Sequence, residues 1–192
     1  MRRDQEASAR EAPVRAIFLV GFMGAGKTSV GRALSARLGW RFEDLDDRIQ
    51  TRERRSIPEI FEQSGETHFR GSELAALQEL LAELENGPPL IAALGGGAFA
   101  QDEVGSLLKD KKSVTVFLDA PPEELWRRCG LDVVSRPLQR EQAEFHRLYL
   151  ARRPRYLLAK MRVETGGREI PRIVDEIVSG LELHRRDSGE EK

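Results

Sequence analysis

"GFMGAGKTS", residues 21–29, follows the apolar run "AIFLV" (16–20) and precedes a stretch in which Val30, Leu34 and Leu38 recur every four residues up to Gly39. The apolar run reads as a strand buried on both faces, as in a parallel sheet. Val30, Leu34 and Leu38 share one side of a helix, and Gly39 stops it. Strand, glycine-rich turn and helix, in that order, turn residues 21–28 into a G-x-x-x-x-G-K-[ST] phosphate loop. Its glycines let backbone N–H groups approach phosphate oxygens, and the helix start adds its partial positive charge. Lys27 would reach the β- and γ-phosphates, and the Thr28 hydroxyl would bind Mg²⁺. Gly24, Ala25, Gly26 and Ser29 complete the nucleotide-binding stretch, so a nucleoside triphosphate is the expected ligand.

Composition narrows the class. At 192 residues the chain fits one domain, expected over 14–184 between flexible tails at 1–13 and 185–192. Thirty-one basic and 32 acidic residues give a net charge of −1, which argues against a nucleic-acid-coating protein. The single cysteine, Cys129, cannot form an internal disulfide, which fits a reducing cytoplasm. No apolar stretch approaches the roughly 20 residues of a membrane span. The opening "MRRDQEASAREAP" has no apolar core and does not read as a secretory signal. A monomer is expected.

Strands and helices alternate along the chain. Further strands are expected near 41–43, 90–94, 113–119 and 161–164. Ser56, with Glu59 three residues on, starts a short helix that ends near Gly65. A long helix covers 66–85, broken by "NGPP" at 86–89. Another is expected near 123–129, one runs to about Ala151, and an amphipathic helix closes the chain over 171–183. Residues 130–138 lack clear periodicity. The pattern predicts an α/β fold: a P-loop three-layer α/β/α sandwich with a parallel sheet of about five strands. Ligands in such sheets bind at the carboxyl ends of the strands.

A phosphate loop alone leaves the acceptor open. In "FEDLDDR" (42–48), Asp44 and Asp46 stand two apart at a strand end, where an extended chain would point both the same way and turn Asp47 aside. One carboxylate would serve hydrated Mg²⁺ and the other would take the proton of an attacking hydroxyl. Arg70 and Glu73 lie at i, i+3 on a helix; in isolation they would be an ordinary surface pair. Gly95, Gly96 and Gly97 directly follow a strand, which suggests a backbone approached closely by a ligand or else a flexible turn.

The phosphate loop with Met23 inside it, Asp44-x-Asp46, "SIPEIFEQSGETHFRGSE" (56–73), "GGG" (95–97) and "SRPL" (135–138) together resemble shikimate kinase, in order from about 16 to 183. The resemblance implies ATP-dependent phosphorylation of the 3-hydroxyl of shikimate, a step towards chorismate and the aromatic amino acids. It implies that Asp46 holds the attacking hydroxyl, that Arg70 and Arg152 grip the substrate carboxylate, and that the 95–97 glycines contact the ring. Asp44 would serve Mg²⁺ through water beside Thr28. Guanidinium forks suit a carboxylate better than lysines do. By the same resemblance, residues of about 130–140 form a lid that brings Arg136 to the transferring phosphate, making Lys27, Asp46 and Arg136 the catalytic set.

Other positions carry weaker expectations. Arg168, in "ETGGREIP", is a candidate near adenine. Asp119 reads as a strand-end cap more than as a second magnesium-side acid. Arg127 and Arg128 are expected on a solvated face, and His68, His146 and His184 form no metal cluster with Cys129. A gluconate or nucleoside kinase would share the phosphate loop but lack the linked acidic, arginine and glycine motifs. A regulatory effector-binding protein would usually carry another domain.

Overall fold

The computed structural model describes residues 14–110, 113–130 and 136–183; for 110 and 136–140 it describes the backbone only. Five strands form one parallel sheet in the order β2-β3-β1-β4-β5, namely β2 Arg41–Asp44, β3 Leu90–Ala93, β1 Ala16–Val20, β4 Val114–Asp119 and β5 Met161–Glu164. The three central strands are buried along their whole length, which is why β1 and β3 read as unbroken apolar runs and β4 as one broken only by Thr115 and its final Asp119. Edge strand β5 buries only Val163.

Seven α-helices connect and cover the strands: α1 Lys27–Leu38, α2 Leu45–Glu53, α3 Ile57–Asn86, α4 Asp102–Asp110, α5 Pro122–Arg128, α6 Arg136–Tyr156 and α7 Ile170–Gly180. The crossover through α1 moves one way along the sheet and the later crossovers move the other way. With right-handed crossovers this puts helices on both faces, giving three layers. Accordingly α1 packs with α7, while α2 packs with α3 and α5 with α6. All strands end on one side, so the loops after β1, β2 and β3 meet there. No helix among the described residues is long and apolar enough to cross a membrane.

Four helices differ from the sequence expectation. The helices expected on either side of Gly65 form one element, α3, broken at Gly65 by φ 77° and ψ 173°, a conformation that favours glycine. Its start carries the expected capping box between Ser56 and Glu59. Helix α6 does not stop near Ala151 but continues to Tyr156 with Pro154 inside it, because Tyr149 and Tyr156, two turns apart, are both buried against the sheet. Helices α2 and α4, not anticipated, are held by buried Leu45 and Ile49 and by buried Val104 and Leu108.

Candidate active site

The loop after β1 wraps the start of α1. Gly24 adopts φ +77°, and a Cβ there would stand 2.7 Å from the Leu125 carbonyl oxygen of α5, so only glycine fits the turn. Gly26, the residue before α1, is also left-handed. The Lys27 ammonium donates to the carbonyls of Gly21 and Phe22, each at 3.0 Å. Its stem is half-buried, but the ammonium itself is turned into the protein. Burial pulls its pKa from 10.5 down to about 8, against the opposing attraction of Asp46 and Asp44. Gly24, Gly26, Lys27, Thr28, Ser29, Asp44, Asp46, Ala93 and Leu94 line a cavity of about 210 Å³. Ala25 is buried in the turn itself.

Asp44 and Asp46 both reach that cavity, but not through an extended chain. Asp44 ends β2 and caps α2, accepting from the Asp46 backbone N–H at 3.1 Å. Asp46 therefore sits in the first helical turn, behind the Asp44 cap. The other Asp44 oxygen accepts from the Thr28 hydroxyl at 2.7 Å. A hydroxyl beside carboxylate oxygens is a hard donor set of the kind Mg²⁺ takes. Burial, then the neighbouring Asp44 charge, raises the Asp46 pKa, with Lys27 acting in the opposite sense.

The glycine loop after β3 lies against the acids and Arg70. A Cβ on Gly95 would stand 2.7 Å from Glu73 Oε1 and 2.8 Å from Asp46 Oδ1, and one on Gly97 would stand 2.7 Å from both terminal nitrogens of Arg70. The loop is thus closely approached on two sides, which decides against a merely flexible turn. Arg70 donates to Glu73 Oε2 at 2.8 Å and to Glu66 at 3.0 Å, and its guanidinium stands 5.2 Å from the Phe69 ring centroid. Glu73 is only 1% exposed, so its pair with Arg70 is no surface pair. Gln101 also donates to Glu73, at 2.6 Å, leaving Glu73 Oε1 buried without a partner among the described residues. Burial pushes the Glu73 carboxyl up against the pull of Arg70.

The three arginines of "RRPRY" (152–156) part company. Arg152 donates to the Gly96 carbonyl at 3.3 Å and lies 5.8 Å from the Phe22 ring centroid. Arg153 pairs with Asp119 at 2.7 Å, and Arg155 pairs with Asp102. Asp119 is buried and also accepts from Tyr149 and Arg162, so it ties α6 and β5 to β4 and does not line the cavity.

Arg127 is solvated as expected, but Arg128 is not simply so. It donates to the Gly24 carbonyl at 3.4 Å, to Glu124 at 2.6 Å and to the Thr165 carbonyl at 2.8 Å, joining the phosphate loop to the segment after β5. Arg168 in that segment turns instead to the Glu164 carbonyl and to Glu176. His68 contacts Glu53, His146 lies on α6, and His184 is outside the described residues. No group of three or more His, Cys, Asp or Glu among the described residues could hold a metal ion. Arg136 begins α6, but its side chain and residues 131–135 lie outside the described residues, and with them most of the expected lid.

A family profile described as shikimate kinase matches residues 23–182. A shikimate kinase from Nitrobacter winogradskyi is 41% identical over 177 residues, covering 90% of this chain and 78% of that protein. One from Persephonella marina is 35% identical over 168 residues, covering 88% of this chain and 99% of that protein. Among solved structures, shikimate kinase from Acinetobacter baumannii in complex with shikimate superposes with a TM-score of 0.74 at 32% identity, covering 93% of this chain and 96% of that one.

Proposed function

The chain belongs to the shikimate kinase family, a P-loop kinase that phosphorylates shikimate with ATP, and we propose the following division of labour among its residues. The phosphate loop, Gly24 to Ser29, binds ATP through its backbone amides and Lys27. Thr28 and, through water, Asp44 hold Mg²⁺, which when bound neutralises phosphate charge. Arg70 and Arg152 hold the shikimate carboxylate, with the backbone of Gly95, Gly96 and Gly97 between them. Asp46 accepts the proton of the 3-hydroxyl as that oxygen attacks the γ-phosphorus. Its raised pKa makes it a better proton acceptor than an ordinary aspartate. Arg136 comes to the transferring phosphate from the 130–140 lid, excluding water.

One observation carries the reading. Asp46, Glu73 and Arg70 converge on the 95–97 glycines, one strand away from the phosphate loop, so a polar anionic ring held there stands beside the γ-phosphate. We further propose that the chain folds as one domain over 14–184, works as a monomer in the cytoplasm and binds no nucleic acid; its near-zero net charge and single cysteine support this.

The test is ADP release with ATP and Mg²⁺ across a panel of acceptors. Release should depend on shikimate and not on gluconate or nucleosides, and equal turnover of any of these would overturn the assignment. Asp46→Asn should retain nucleotide affinity and lose about 10²- to 10⁴-fold in kcat, the usual contribution of a positioned base. Lost nucleotide affinity with chemistry intact would contradict the role given to it.

A further inference from the structure

Two donors on one helix face hold a single carbonyl of the glycine loop. Arg152 and Tyr156 are four residues apart on α6 and therefore neighbours on its surface. Arg152 Nη1 donates to Gly96 O at 3.3 Å, and the Tyr156 hydroxyl donates to the same oxygen. Tyr156 is fully buried, its ring 5.3 Å from that of Phe117 on β4, so the sheet fixes the hydroxyl's position. Burial pushes its pKa up to about 12, and it remains a donor throughout the neutral range.

The consequence follows from peptide geometry. A trans peptide is planar, so holding the Gly96 C=O towards α6 turns the Gly97 N–H the opposite way. Among the described residues, neither the Gly96 nor the Gly97 N–H has a protein acceptor. Gly97 is also the residue pressed against the Arg70 guanidinium. The Ala98 N–H already holds the Gly95 carbonyl at 3.0 Å, and with it the Gly95–Gly96 peptide; in so free a run of glycines the Gly96–Gly97 peptide keeps one direction only if something holds it too.

We infer that Tyr156 is a positioning residue for the acceptor: its hydroxyl orients the Gly96–Gly97 peptide, and with it the free Gly97 N–H presented beside Arg70. This rests on the acceptor site proposed above. The phenol touches no reacting atom; it acts through the loop. Arg152 then has two tasks, one on the carbonyl and one on the acceptor, whereas Tyr156 has only the first.

Tyr156→Phe keeps the ring on Phe117 and removes one oxygen. The KM for shikimate should rise roughly five- to tenfold, the effect of one lost neutral hydrogen bond. The KM for ATP should stay within about twofold, and the Gly97 amide resonance of the free enzyme should move. A lower Tm with both KM values unchanged would make Tyr156 a packing residue only and overturn the inference. So would an equal rise in both KM values. Arg70→Ala, measured alongside, separates the two layers of the argument. If it leaves the shikimate KM unchanged, the acceptor site itself is misassigned; if it raises that KM while Tyr156→Phe does not, only the inference falls. Should Tyr156→Phe not fold, the wild-type protein still decides. Titration with shikimate alone should shift the Gly97 amide resonance, and an unmoved resonance overturns the proposal.

Discussion

Gly95→Ala adds one methyl group where two carboxylates already stand. Its Cβ would lie 2.7 Å from Glu73 Oε1 and 2.8 Å from Asp46 Oδ1, whereas ordinary contact begins at 3.4 Å. Each oxygen must therefore retreat by about 0.6–0.7 Å, or the loop must move by as much. Glu73 is buried and tied to Arg70 and Gln101, so it cannot swing away freely. The Asp46 main chain is fixed by its N–H on Asp44, so its carboxylate can retreat only by turning further into the cavity, away from its present place. The strain of such overpacking is about 1–3 kcal/mol, which lowers the Tm of a domain this size by roughly 2–12 °C. Catalysis should suffer more, since displacing a reacting group by about 1 Å costs on the order of 10²-fold. We expect kcat for shikimate to fall about 10²-fold while ATP affinity, measured by calorimetry without shikimate, stays within about twofold. Wild-type kcat in the folded variant would refute the reasoning, because it would mean that Asp46 is not held against the glycine loop during turnover.

Lys27 provides a test by pH. Its pKa is about 8 in the folded chain against 10.5 as the ordinary value, so between these pH values the unfolded chain holds more protons. Burying the ammonium therefore costs stability in full below pH 8, and the cost is relieved as the pH climbs towards 10.5. ATP binding needs the cation, so ATP affinity of the free enzyme should weaken as the pH rises through about 8. Lys27→Arg, which keeps its charge, should flatten that profile; a wild-type profile with no inflection would contradict the buried-ammonium picture. Gly71 lies within α3 with open space where a Cβ would go, so Gly71→Ala should raise stability by about 0.5–1 kcal/mol, read by denaturant unfolding.

Much of the fold could be read from the sequence because the central strands are buried on both faces and so appear as largely apolar runs. The phosphate loop was legible because its glycines, lysine and hydroxyl are fixed by backbone geometry within eight residues. Asp44 and Asp46 were found for a reason that does not hold in the molecule: the chain turns helical between them once Asp44 caps α2. Glu73 escaped as a functional residue, since i, i+3 spacing with Arg70 says nothing about which face of the helix is buried. The missed signal was that Glu73, Leu77 and Leu80 fall on one stripe, so the acid had to lie inside. Arg128 escaped because its partner segment arrives only when β5 joins the sheet next to β4.

The order β2-β3-β1 has a consequence for how far apart donor and acceptor stand. The phosphate loop, the glycine loop and the acidic pair each leave from the tip of one of three adjacent strands, and neighbouring strands are about 4.8 Å apart. The spacing between the strand tips from which these loops leave is therefore a multiple of a backbone repeat, set by main-chain hydrogen bonds. Mutation can retune what is gripped at each tip, and with it the choice of alcohol. Under the proposed division of labour, the distance between the strand tips from which the two partners are held is laid down by the sheet.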